Sequence, residues 1–507
     1  MSGVRQEDVV SDEDLESARL GYASSGLVSE SILPPDGIAA GSRPDASGAA
    51  GRIGRGLAAN IGGMGVTLII QFVSVPVLLA VWGVPRYGEW LVLSAVPTYL
   101  ALSDLSFSSV AGNSMTMLVA QGKRTDAVAL GRRLWSIVTV MTGLAVLAAV
   151  AIALVFGGAF GSGAAIPASE ARMVLVALFL QVAVGNQYGV LDAWYRAGLR
   201  YPVGASMRQL GRLLEFGSLI GAVLLGAGPG AAAVAFLAAS VAGFTMSFVV
   251  LRRTVPWSMF RPERPSSRTF RELFAPGVAF MAFPIGNALS LQGFTIVIGA
   301  TMGAAAVVVF STTRTITRMA VQAMGSINSA IWPELSRSVG SGRLDEARAI
   351  LRSAVQLALT ASLSMVFVLG IFGVAIIRWW TRGLVHSPDL LLWILLLVIV
   401  ANSTWSTLYA ALAATNRHRR MAVVYLSGTT VALLAAVPLS FAFGLLGAAA
   451  ALLAIDLAMV AYVIPAALRV VQDTPVHFVR ALFDVRGALR LAASSVRPRW
   501  NHRGPCS

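Results

Sequence analysis

The run Gln121-Gly122-Lys123-Arg124-Thr125-Asp126-Ala127, followed by Leu130 and Arg132, returns 220 positions later (122 to 342, 132 to 352) as Ser341-Gly342-Arg343-Leu344-Asp345-Glu346-Ala347, followed by Ile350 and Arg352. The same offset pairs Gly83 with Gly303 in the short turns that precede those helices. Each copy is a small, polar, basic turn between apolar stretches of roughly 20 residues or more, the length needed to cross a bilayer. A repeat with the same orientation in each half is a transporter architecture.

Outward from this pair, basic loops alternate with bare ones. Lys123, Arg124, Arg132 and Arg133 are followed by Arg196 and Arg200, then by Arg252, Arg253, Arg261, Arg264, Arg268 and Arg271. Arg337, Arg343, Arg348 and Arg352 come next, then Arg417, Arg419 and Arg420, then a tail with Arg469, Arg480, Arg486 and Arg490. The intervening loops 225–230, 299–303 and 442–446 carry no charge. This is the positive-inside pattern of a polytopic membrane protein, and it predicts that both termini are cytoplasmic. Arg172, Arg378 and Arg382 fall on the other side and are outnumbered. Trp82, Tyr87, Trp90, Trp379 and Trp380 fall at the predicted outer interface, where aromatic belts belong.

Spans are predicted near 57–81, 88–111, 134–157, 173–195, 203–225 and 230–251, then near 273–298, 304–332, 353–378, 389–414, 421–442 and 446–468. The expected fold is all-α, with about twelve transmembrane helices in two six-helix lobes. The lobes are 53–251 and 273–470, joined by a basic cytoplasmic loop at 252–272 with Pro256, Pro262 and Pro265. Residues 1–52 read as a disordered cytoplasmic tail rich in Ser, Gly, Pro and Asp, with no cleavable signal peptide, and 471–507 as a basic cytoplasmic tail. The segment 475–492 reads as amphipathic rather than spanning.

Composition agrees. The 507 residues are 56% hydrophobic and 12% charged, with mean hydropathy +0.73, whereas soluble domains carry about 25% charged residues. The formal charge of +15 is spread between apolar spans, which fits contact with anionic inner-leaflet lipid better than nucleic acid. The single cysteine, Cys506, excludes a disulfide framework, and His386, His418, His477 and His502 form no metal or acid–base cluster. No G-x-x-x-x-G-K-[ST] run is present, which argues against an ATP-driven exporter subunit. No cofactor and no metal are expected.

Charge inside spans is costly and marks function by default. Arg208, Arg212 and Glu215 lie at i, i+4 and i+7 of the fifth span and share a face; Arg314 and Arg318 are i, i+4 in the eighth. Arg212 and Arg314 fall near mid-membrane, which suggests a cationic central cavity, and guanidinium forks suit pyrophosphate and acidic sugars. Arg208 also reads as snorkelling to the interface, and Arg318 is open to the same reading; Arg212 also reads as paired with Glu215. Arg314 has no acidic neighbour within a turn and is the foremost candidate for substrate contact. Glu215, Asp104 and Asp456 are candidates for ion coupling or gating, with a structural pair to a loop arginine favoured for Asp104. Asp192 reads as an interfacial partner of Arg196. Asn186, Gln187, Asn287, Gln292, Gln322, Asn328 and Asn402 are polar groups that either line a cavity or bond helices together.

Asn60 … Pro76 … Gly83 … Tyr87-Gly88-Glu89-Trp90 … Leu102-Ser103-Asp104-Leu105-Ser106-Phe107 … Asn113 … Gly122-Lys123 resembles the N-terminal region of the Wzx-type polysaccharide exporters, the O-antigen flippases of the multidrug/oligosaccharidyl-lipid/polysaccharide (MOP) superfamily. Ser106 stands where that family usually has Gly. Val309-Phe310-Ser311-Thr312-Thr313-Arg314 resembles its Tyr-Ser-Ala-Ala-x-Arg/Lys region. The resemblance implies a V-shaped, MATE-like fold in a bacterial inner membrane. It implies a flippase that moves an undecaprenyl-pyrophosphate-linked oligosaccharide to the outer leaflet by alternating access, for O-antigen, exopolysaccharide or capsule synthesis. Membrane lipids, a polysaccharide polymerase and glycosyltransferases are the implied partners.

Three alternatives stand beside this. A cation-coupled multidrug exporter of the same superfamily usually carries acids in its first span, and 57–81 has none. A lipid II flippase has about two more helices than are counted here. A membrane enzyme of polysaccharide assembly is the more distant option: a polymerase is expected to show a large outer loop, and an acyltransferase a membrane histidine.

Overall fold

The computed structural model describes residues 46–104, 107–160, 165–263, 281–414 and 418–483, without the side chains of 46–61, 103–104, 156–160, 320, 323–330, 332–333, 414, 418–419, 481 and 483. Of the tails expected at 1–52 and 471–507, residues 1–45 and 484–507 lie outside what is described, as do the second part of the 252–272 loop and the side chain of Asn328.

The first helix, α1 (Ala46–Thr98), folds back at Gly83, whose φ of 72° is open to glycine at little cost. A 3₁₀ turn (Tyr99–Asp104) separates its second arm from α2 (Phe107–Ala120). Next come α3 (Arg124–Phe160), α4 (Ala168–Ala197), α5 (Tyr201–Leu224) and α6 (Pro229–Thr254). The second half has α7 (Met281–Met302), α8 (Ala304–Gly340), α9 (Leu344–Trp380), α10 (Asp389–Ala414), α11 (His418–Phe443) and α12 (Leu445–Val471). A short amphipathic helix, α13 (Pro475–Phe483), ends the described chain.

Nine stretches among the described residues are long and apolar enough to span a membrane. One of them, Gly62–Ala120, makes two crossings because it turns at Gly83, and α5 and α8 reach span length while carrying the intramembrane arginines. The described residues therefore form a multi-pass, all-α membrane protein, with about twelve helical segments of span length.

The repeat is visible in the backbone. Gly83 (φ 72°, ψ 174°) and Gly303 (φ 82°, ψ 177°) adopt one conformation. Gly122 and Gly342 have φ 78° and 72°. Around them the N–H of Lys123 donates to Leu118 O (2.9 Å) and that of Arg343 to Ser338 O (2.9 Å), while Ala127 and Ala347 donate to the carbonyls of Lys123 and Arg343.

The helices run further than the sequence suggested. α3, α8 and α9 have 37 residues each, about 55 Å at 1.5 Å per residue, against a hydrocarbon core of about 30 Å. Arg132, Arg133, Arg348 and Arg352, expected in loops, therefore sit on helical turns at the basic end. The second span is not the continuous 88–111 expected, because the 3₁₀ turn interrupts it. The first part of the 252–272 connector is folded: Arg132 and Arg133 pair with Glu263 (3.4 and 2.9 Å), and Trp257 and Phe260 pack against Trp194.

Toward the basic end each half has its own core. Phe107, Leu134, Trp194 and Leu251 form one, and Phe310, Leu351, Leu408 and Leu452 belong to the other. At the charge-poor end one cluster draws on both halves, joining Val75, Leu79, Trp82 and Leu93 to Val308, Ile316, Ile377 and Leu396. Here the halves touch at backbone level: a Cβ on Gly88 would meet the carbonyl carbon of Ala304 at 2.6 Å, and one on Gly299 would meet Val92 at 2.6 Å. The charge-poor end is shut.

The run Tyr87-Gly88-Glu89-Trp90 builds this closure. Tyr87 is buried, Gly88 admits α8, Glu89 accepts the N–H groups of Ala165 (3.2 Å) and Ile166 (2.8 Å), and Trp90 packs on Trp82 at 5.3 Å.

Candidate functional site

In α7 five residues, Leu289–Gly293, form a π-turn, an irregularity that is frequent at functional sites. Arg314, ten residues into α8, lies against it. Its Nη2 donates to Ser290 O (2.8 Å) and Ser290 Oγ (3.4 Å), and its Nη1 to Leu291 O (3.3 Å); the guanidinium carbon lies 5.7 Å from the Phe310 ring. Arg314 is buried and makes no ion pair among the described residues. Among the described residues its hydrogen bonds go only to neutral carbonyl and hydroxyl groups.

Arg314 lines a cavity of about 250 Å³ with Arg318, Asp456, Asn287, Asn402 and Gln322. Arg318, one turn along α8, is half-buried and has no hydrogen-bond or ion-pair partner among the described residues. Asp456 of α12 is buried, and its Oδ1 accepts Trp405 Nε1–H (2.7 Å) and Asn402 Nδ2–H (2.8 Å) of α10. Two cations thus face one carboxylate that two neutral donors already hold. An aromatic wall closes one side: Phe283 lies 5.0 Å from Tyr425 and 5.9 Å from Tyr409, and Trp405 lies 5.7 Å from Tyr425.

Of the candidates named from sequence, Arg314, Arg318 and Asp456 come together in this one cavity. Arg208 and Arg212 do not join them. Arg208 pairs with Asp192 and lies over Tyr188 at 5.7 Å, so Asp192 is the partner of Arg208 rather than of Arg196. The helix turn from α4 to α5 brings the two opposite each other. Arg212 is exposed, and its Nη1 donates to Thr67 Oγ1 of α1 (3.2 Å). Glu215 is buried and makes no ion pair with Arg212 among the described residues, because its shorter side chain turns into the protein. The side chain of Asp104 lies outside the described residues; its backbone ends the 3₁₀ turn. Asn186 ties helices together, donating to Thr142 Oγ1 (3.3 Å) and Leu100 O (3.5 Å).

Sequence reasoning missed the aromatic wall and the Trp405 donor to Asp456, and it named Asn402 without its partner. Asn402 and Trp405 are i, i+3 on α10, a spacing that puts them on one face, but nothing in the sequence says that this face meets α12.

Solved structures share this fold. An inward-facing multidrug-resistance MATE transporter of the MOP superfamily superposes with a TM-score of 0.62 at 14% identity, over 80% of this chain and 98% of that one. The lipid II flippase MurJ, in an inward closed conformation, gives 0.61 at 14% identity over 88% and 93%. The Vibrio cholerae MATE transporter VcmN gives 0.56 at 16% over 85% and 99%. No curated protein matches by sequence. The fold is that of the MOP superfamily of transporters and flippases. Residues 133–378, a little under half of the chain, match a family model described as polysaccharide biosynthesis protein.

Proposed function

We propose that the chain is an inner-membrane flippase for undecaprenyl-pyrophosphate-linked oligosaccharide, with its basic end and both termini in the cytoplasm. The Arg314–Arg318 cavity receives the anionic head group. The observation that carries this reading is a buried guanidinium held, among the described residues, by carbonyl, hydroxyl and ring contacts alone, with a second arginine one turn away on the same cavity. Such a cation gains most from an anionic ligand that accepts two parallel hydrogen bonds. The cavity, about 250 Å³, suits a head group rather than a whole repeat unit. The aromatic wall offers apolar faces to the adjoining sugar. A charge-poor end that is shut at backbone level fits one state of alternating access, with loading from the basic end. Glycosyltransferases would supply the cargo and a polymerase would consume it.

Arg314→Ala is expected to lower flipping by roughly tenfold or more, the worth of a lost charge-assisted hydrogen bond. Arg314→Lys is expected to restore part of it, since it keeps the charge and loses the fork. The readout is lipid-linked oligosaccharide accumulating on the cytoplasmic leaflet while the protein remains at normal level in the membrane. Full export by an Arg314→Ala, Arg318→Ala double variant would overturn the assignment. Asp456 beside an aromatic wall also supports a second reading, export of cationic drugs. That reading predicts drug sensitivity in Asp456→Asn with glycan export unchanged.

A further inference from the structure

Of the arginines that stand outside the charge pattern that orients the chain, two lie close together. Arg378 is in the last turn of α9 and Arg382 in the turn beyond it, both at the charge-poor end. Both are exposed, and neither makes an ion pair with a described residue. A cation in the last turn of a helix offsets the helix dipole, which accounts for Arg378 alone. Arg382 has φ 53°, a left-handed conformation usually given to glycine.

The two arginines rim a groove of about 730 Å³ on the side of the protein. Its floor is apolar and comes from both halves: Phe72 and Pro76 from α1, Ala375 from α9. Trp379, 73% exposed, completes the rim and so faces the surrounding medium. The floor is anchored, because Pro76 has no N–H to give the carbonyl of Phe72, four residues before it. The indole of Trp380 takes that place, donating Nε1–H to Phe72 O at 2.7 Å while its ring stacks on Phe72 at 5.6 Å.

An apolar floor, two guanidinium groups with no acidic partner among the described residues and an interfacial indole match one kind of molecule by charge and polarity: a lipid with an anionic phosphate headgroup. Arginine forks bind phosphate bidentately, and tryptophan sits at headgroup depth. We propose that this groove binds an anionic glycerophospholipid, its phosphate between Arg378 and Arg382 and its acyl chain on Phe72, Pro76 and Ala375. Because the floor belongs to both halves, the bound lipid holds the charge-poor end shut.

The full chain, reconstituted in phosphatidylcholine vesicles, is exposed to photoreactive acyl-diazirine phosphatidylglycerol or to the same probe with a phosphatidylcholine headgroup. Adducts are then mapped to peptides covering 69–76 and 375–382. A basic residue near a charged lipid surface is worth roughly fivefold in affinity, so the pair predicts a preference for the anionic probe of about 25-fold. R378Q/R382Q is expected to reduce labelling to the phosphatidylcholine level, and both side chains are exposed, so folding is preserved. Equal labelling by the two probes would mean ordinary interfacial anchoring and overturns the proposal. So does an undiminished preference in the double variant. Loss of the adduct in excess inorganic phosphate would point to a free-anion site and overturns it as well.

Discussion

Replacing Gly88 with valine tests the closure of the charge-poor end. A Cβ at this position would lie 2.6 Å from the carbonyl carbon and 2.8 Å from the Cβ of Ala304, and atoms of a helix backbone cannot rotate aside. Either the two halves stay together under strain or they part. Overpacking of this kind costs about 1–3 kcal/mol. The penalty acts only where α1 and α8 touch, so it shifts a two-state equilibrium between shut and parted ends by roughly 5- to 150-fold toward the parted state. Val308, fully buried in the cluster that joins the halves, reports this. In a Cys506→Ser background, Val308→Cys is expected to stay unlabelled by a membrane-impermeant maleimide and to become labelled when Gly88→Val is added. Transport should fall in parallel, because one of the two states is withdrawn. Unchanged labelling of the Val308→Cys thiol, with Gly88→Val folded and in the membrane, would refute the backbone-contact reasoning.

The Trp380–Phe72 bond should couple to Pro76. Trp380→Phe leaves an orphaned carbonyl and is expected to cost about 1 kcal/mol in thermal or denaturant stability. In a Pro76→Ala background the helix supplies its own donor, and the cost of Trp380→Phe should shrink; equal costs in both backgrounds would remove the coupling. At the basic end Arg352 holds Asp473 with Nε at 2.8 Å and a second bond from Nη2, and Arg348 Nε–H donates to Val471 O (2.9 Å), so that α13 is docked. Burial alone would raise the Asp473 carboxyl, but the hydrogen bonds from and charge of Arg352 outweigh it and hold the group below its ordinary value. A depressed acid contributes fully above its unfolded pKa of about 3.9 and loses the contribution as pH falls through the folded value. Protection from hydrogen exchange across 475–483, taken relative to the intrinsic base-catalysed amide rate, should therefore be flat through the neutral range and fall only in strong acid, whereas Asp473→Asn should lower it at neutral pH by about 1 kcal/mol.

The sites divide by what kind of contact makes them. Gly83 with Gly303, and Gly122 with Gly342, were legible because a turn that needs positive φ leaves glycine at a fixed register in each half. The crossings were legible because apolar length is a one-dimensional property. Helix ends were not: Arg124 to Arg133 and Leu344 to Arg352 are too polar to read as span, yet they extend helices that project beyond the bilayer. Arg314 and Arg318 were found because a charge in an apolar run is conspicuous. Arg208 and Arg212 were conspicuous for the same reason, and equal depth in the membrane made Arg212 look equivalent to Arg314.

The order of basic and bare turns, the paired half-repeats and the roster of intramembrane charges are properties of the sequence alone, because each depends on residue type and spacing along the chain. Which charges share a cavity is settled only when helices pack. Arg208 meets Asp192 across the α4–α5 turn, whereas Arg314 meets the π-turn carbonyls of α7 and looks toward Asp456, 142 residues away (314 to 456). Lateral neighbours fix the partners of a buried charge, and in a helical membrane protein those neighbours come from other spans. The sequence shows which arginines are set within apolar spans, and the packing decides which of them line a cavity.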